Sequence, residues 1–70
     1  MKLNDLLKIM DKKMSFDVYD TEKYLLYPFL NLDNEIISFI KDRNIKNIKQ
    51  GEIYVSEIKR SYKGNIIIEI

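Results

Sequence analysis

The chain contains no cysteine and no histidine, and only two glycines and one proline in 70 residues. Without cysteine there is no disulfide framework and no thiolate chemistry. Without histidine the commonest general base, the commonest metal ligand and every histidine-dependent triad are missing. With glycine only at Gly51 and Gly64, a glycine-rich phosphate loop cannot be built. An activated serine would have only a lysine for a base; Ser56 and Ser61 lie near Lys59, and adjacency in sequence does not make a dyad. A non-enzymatic protein is therefore expected, with no cofactor and no metal site. The excess of either charge is small: twelve basic against eleven acidic residues leave a net +1. A nucleic-acid mimic would carry a large negative excess, and a general nucleic-acid binder a large positive one. No apolar run is long enough to span a bilayer, and the first apolar residues alternate with Asp and Lys, unlike a signal peptide. A cytoplasmic protein without membrane contact is the expectation.

What the chain does have is apolar residues in clear patterns. Hydrophobic residues make up 46% of it, including twelve isoleucines, five tyrosines and three phenylalanines. One domain, 1–70, is expected. Ile66-Ile67-Ile68-Glu69-Ile70 places four β-branched residues in five positions and reads as a strand inside a sheet. Tyr62-Lys63-Gly64 before it reads as a three-residue hairpin loop with Gly64 left-handed, pairing Ser61 with Asn65, Ile58 with Ile68 and Ser56 with Ile70. One face of that hairpin carries Tyr54, Ile58, Ile66, Ile68 and Ile70, and the other Ile53, Val55 and Ile67.

Earlier in the chain, Leu3, Leu6, Leu7, Met10 and Met14 follow helical spacing, predicting a helix from about Asp5 to Lys12 with Asn4 as its cap. Met14, Phe16 and Val18 alternate with Ser15, Asp17 and Tyr19 as in a half-buried strand. Asp20 to Lys23 suits a turn, and Tyr24 to Tyr27 a second, antiparallel strand. Pro28 ends that strand or marks it as an edge. Asp33 is placed to cap a second helix with Ile36, Ile37, Phe39 and Ile40 as its buried stripe, and Asn44 to stop it. Residues 45–49 fit either a helical extension or a short strand, and Gln50-Gly51 is expected to break it. The resulting expectation is an α+β fold of order α-β-β-α-β-β: a four-stranded antiparallel sheet packed with two helices on its faces.

Three clusters are candidates for function. Asp17, Asp20 and Glu22 are the tightest acidic group, but Asp17 and Asp20 have opposite strand parity, and a solvated strand end and turn accounts for them. Lys41, Arg43, Lys46 and Lys49 form one basic run; Lys59, Arg60 and Lys63, beside Tyr62, form another that could follow a phosphate backbone or an acidic partner surface. Tyr19, Tyr24, Tyr27, Tyr54 and Tyr62 are too many to bury with satisfied hydroxyls in so small a core, and tyrosine is enriched at interfaces. Asp17, Tyr19, Asp20, Tyr24 and Tyr27, on the first hairpin, are the expected protein-binding residues. Lys59, Arg60, Tyr62 and Lys63 are the alternative site, for nucleic acid or an acidic partner.

The opening Met1-Lys2-Leu3-Asn4-Asp5-Leu6-Leu7, then Asp11, Val18-Tyr19-Asp20 and the closing Ile66-Ile67-Ile68-Glu69-Ile70, give a layout that resembles small uncharacterised phage and prophage proteins of AT-rich bacteria. It departs from them over 45–59. The group includes anti-CRISPR and other anti-defence inhibitors, commonly small and non-enzymatic. The resemblance implies an accessory protein, monomeric or homodimeric, that binds and inhibits a host protein or ribonucleoprotein complex. A nucleic-acid-binding or regulatory module is the second reading, and a structural or self-assembling phage protein the third.

Overall fold

The computed structural model describes residues 1–11 and 13–70. The order of elements is α1 (Leu3–Ile9), β1 (Phe16–Asp20), β2 (Leu25–Tyr27), a 3-10 turn (Phe29–Asn31), α2 (Asn34–Ile40), β3 (Asn47–Val55) and β4 (Arg60–Glu69).

Helix α1 starts two residues earlier than its local signals predict, with Asn4 inside it and Lys2 in the cap position. The cause is tertiary. The N–H groups of a first helical turn have no partner within the helix. Here Leu3 N–H donates to the Arg43 carbonyl and Asn4 N–H to the Lys41 carbonyl, both at 2.9 Å, just past the end of α2. Ile45 N–H in turn donates to the Met1 carbonyl at 2.8 Å. Each helix end thus satisfies the other. The helix stops at Ile9, short of the expected Lys12, which lies outside the described residues.

In β1, Phe16, Val18 and Asp20 are buried and Asp17 and Tyr19 half-buried, so the alternation holds from Phe16 onward. Met14 precedes the strand and is exposed. The chain turns through 21–24, with Tyr24 at φ 52°, and β2 pairs antiparallel with β1, Val18 opposite Tyr27 and Asp20 opposite Leu25. Pro28 ends β2, which is a sheet edge. Asp33 caps α2 as its sequence position predicts, its carboxylate accepting from Ile36 N–H at 2.8 Å. Phe39, expected in the buried stripe, is 78% exposed, because α2 directs Ile40 and Ile36 into the core instead.

The sheet has the strand order β2-β1-β4-β3. It is mixed, which corrects the expectation of a wholly antiparallel sheet: β4 runs antiparallel to β3 but parallel to β1, with Phe16 opposite Ile66 and Val18 opposite Ile68. The segment from the 3-10 turn through α2 separates the two hairpins and returns the chain so that β4 lies between β1 and β3. A central position suits a strand apolar on both faces. The register of the second hairpin also differs from expectation. Its turn is 56–59, with Val55 opposite Arg60 and Lys59 at φ 51°; Gly64 lies within β4 and does not have positive φ. Ser56 and Ile58, expected to pair with Ile70 and Ile68, are in that turn.

Strand β3 continues through Gln50-Gly51, where a break was expected. Between Gln50 opposite Ile66 and Glu52 opposite Lys63, β3 advances by fewer residues than β4, so β4 carries a β-bulge at Gly64-Asn65. Gly51 is required by close approach: a Cβ there would run into the Asn65 carbonyl oxygen and the Ile67 side chain. Gln50 braces the bulge, its side-chain amide donating to the Gly64 carbonyl at 2.6 Å.

The core is Leu3, Phe16, Val18, Ile40, Ile68 and Ile70, with Phe16 and Phe29 in edge contact at 5.7 Å. Phe16, Val18 and Ile68 share one face of the sheet, since paired residues point the same way. Leu3 of α1 and Ile40 of α2 join that same cluster. Both helices therefore cover one face, where the sequence led us to expect helices on both.

Candidate protein-binding face

The consequence of one-sided helix packing is a sheet face that, among the described residues, has no helix over it. Following the pairs across the strands, that face carries Asp17 and Tyr19 of β1, Leu26 of β2, Ile67 and Glu69 of β4, and Lys49, Gly51, Ile53 and Val55 of β3. Beyond the bulge the parity of β4 reverses, which brings Tyr62 and Arg60 to this face opposite Ile53 and Val55. Leu26, Ile53 and Tyr62 are about half exposed, at 46%, 57% and 49%, and Tyr19 and Ile67 are half-buried. Large apolar groups standing together on a surface, ringed by charge, are an interaction signature.

A groove of about 350 Å³ crosses this region, bordered by Asp17 and Leu26 on one side and Ile53 and Lys63 on the other. Its floor is the pair of glycines, Gly51 and Gly64, with Ile67 beside them. Asp17 is held at its rim: one carboxylate oxygen accepts from Phe29 N–H at 2.9 Å and from the Asn65 side-chain amide at 3.3 Å. That contact ties the first hairpin and the 3-10 turn to the bulge.

The five residues expected on the first hairpin do not share a surface. Asp17 and Tyr19 belong to the open face. Tyr27, opposite Val18, faces the helices and packs against the core. Tyr24 stands in the turn, 82% exposed. Asp20, expected at a solvated strand end, is fully buried. Its carboxylate accepts from Glu22 N–H at 3.0 Å, from Lys23 N–H at 3.2 Å and from the Arg43 guanidinium at 3.1 and 3.3 Å. Burial pushes the Asp20 pKa up, but the Lys23 N–H, the Arg43 guanidinium and the Glu22 N–H more than offset it and hold the carboxyl below its ordinary value.

The two basic runs have different fates. In the first, Arg43 is engaged by Asp20 and Glu22, Lys46 donates to the Thr21 hydroxyl at 2.6 Å, and Lys49 lies 3.8 Å from Glu69. In the second, Lys59, Arg60, Tyr62 and Lys63 are all exposed, but they do not form one tip: only Lys59 lies in the 56–59 turn, while Arg60 and Tyr62 are opposite Val55 and Ile53 and Lys63, opposite Glu52, has the other strand parity. Tyr62 and Arg60 thereby extend the open face toward that turn. Sequence patterning does not bring Leu26 or Asn65 to this face. Ile67 was on the face paired with Ile53 and Val55, as observed; Leu26 needed the β1–β2 register and Asn65 the bulge.

Among the described residues no helix is long and apolar enough to cross a membrane. Comparison of the chain with protein families, with curated proteins and with solved structures finds no match.

Proposed function

We propose that this protein is a non-enzymatic binding module that docks its open sheet face on a host protein or ribonucleoprotein complex in the cytoplasm, in the manner of the phage anti-defence inhibitors its layout resembles. One observation carries the reading: both helices lie on one side of the sheet, leaving Tyr19, Leu26, Ile53, Tyr62 and Ile67 together on the other. Tyrosine anchors beside aliphatic surface, with Asp17, Lys49 and Arg60 around them, match the composition of interface hot spots. The test is a pull-down from bacterial lysate with tagged protein, run in parallel with the Tyr19→Ala/Tyr62→Ala double variant. A partner captured by the native chain and lost by the variant supports the reading, and equal capture by both contradicts it.

The exposed basic groups of Lys59, Arg60 and Lys63, beside Tyr62 on the turn and outer half of β4, favour a second reading, contact with nucleic acid. Salt separates the two. Phosphate contacts weaken linearly with the logarithm of salt concentration, whereas an apolar protein interface responds little.

A further inference from the structure

The sheet has two edges of unequal character. β2 is three residues long and is closed by Pro28, which cannot donate to a ladder. β3 is nine residues long, and among the described residues its outer side pairs with no strand. It exposes Ile48 at 50%, Ile53 at 57% and Tyr54 at 63%. A long open edge that carries exposed apolar residues is a template for strand addition.

We infer that β3 is the homodimer interface of this protein, pairing antiparallel with β3 of a second copy about a two-fold axis at Gly51. The sequence of the strand selects this occupant and this register. Gly51 is the midpoint of Asn47–Val55, so a two-fold there pairs the whole strand. It sets Ile48 opposite Tyr54 and Gln50 opposite Glu52, each twice, with Lys49 opposite Ile53 and no like charges in register. Aromatic–β-branched and amide–carboxylate pairs are favourable cross-strand neighbours. The other same-face symmetric registers are worse. Centring on Lys49 or Glu52 sets like charges against each other, and centring on Gln50 sets Ile48 against Glu52. Centring on Ile53 engages only the last five residues of the strand, and centring on Ile48 or Tyr54 only three. The two-fold is perpendicular to the sheet, so the dimer is one continuous eight-stranded sheet with both open faces on the same side. The inference uses the strand edge and stands apart from what the open face binds.

Sedimentation equilibrium of the native chain tests it first, and concentration-dependent association to twice the 8.4 kDa chain mass is expected. On dilution, amide resonances of Asn47–Val55 should shift while those of Leu25–Tyr27 stay fixed. Ile48→Glu and Tyr54→Lys should each weaken self-association by about tenfold or more. An equimolar mixture of the two should recover it, because the carboxylate introduced in one copy then faces the ammonium introduced in the other. Circular dichroism melts show whether each variant is folded, and the native-chain measurements stand without them. A native chain that stays monomeric at all concentrations overturns the inference. So does a dimer whose dilution shifts fall on β2, or one indifferent to both substitutions.

Discussion

Asp20 and Arg43, 23 positions apart in the chain, meet at 3.1 Å at the end of β1, the carboxylate fully buried and the guanidinium about one-quarter exposed. The pair connects the β1–β2 turn, through the Glu22 and Lys23 amides, to the segment that receives the first turn of α1. Removing one member of such a pair leaves a charge without its partner. Asp20→Ala should therefore destabilise the fold by about 3 kcal/mol, a large part of the ~5–10 kcal/mol that holds a domain of this size. Chemical denaturation measures this, and a loss below about 1 kcal/mol would show the pair to be incidental.

The same site sets an acid limit. A carboxyl whose folded pKa lies below its unfolded value, about 3.9, stabilises the fold fully above that value and loses the contribution as pH falls through the folded pKa. Stability attributable to Asp20 should be constant near neutrality and decline below about pH 4. Denaturation midpoints from pH 7 to pH 2 should converge for native protein and Asp20→Asn at the acid end. Midpoints that differ by the same amount throughout contradict the linkage.

The two glycines should differ sharply. A Cβ at Gly51 meets backbone at Asn65, so Gly51→Ala should cost about 1–3 kcal/mol by overpacking. At Gly64 the nearest atom is a side-chain carbon of Ile53 at 3.3 Å, which can give way, and φ is not positive. Gly64→Ala should cost less than about 1 kcal/mol. Thermal melts of the two variants decide, and a reversed order would place the bulge on the wrong strand.

Burial in the central strand predicts a further contrast. Ile68→Ala removes a fully buried side chain and should cost about 2–5 kcal/mol. Ile53→Ala, more than half exposed on the open face, should stay within about 0.5 kcal/mol. Comparable losses would mean that something covers the open face in the isolated chain.

Much of the architecture was legible because local signals were consistent. The Phe16–Val18 alternation, the Asp33 cap, the stop at Pro28 and the central β4 each follow from residue chemistry within a few positions. What was not legible depended on partners far away in sequence. The start of α1 is set by carbonyls at Lys41 and Arg43, and the burial of Asp20 by Arg43. Gly64 read as a left-handed turn residue because glycine before an apolar run is the usual hairpin signal, yet here it lies at a bulge opposite a second glycine. The open face followed the same division. Parity placed Ile53 with Ile67 and Tyr19 away from Phe16, but only the sheet order and the bulge bring Leu26 and Tyr62 beside them.

We propose that the open face is the surface that recognises a protein partner. Its most direct test is the affinity of the captured partner for Tyr19→Ala and Leu26→Ala, set against Lys59→Glu/Lys63→Glu, with melting temperatures measured alongside. Each of the two open-face substitutions should weaken binding by about 1–3 kcal/mol with little change in melting temperature. Normal binding by both of them, together with loss of binding in the charge-reversed pair, would contradict the proposal and assign recognition to the basic residues of the β3–β4 hairpin.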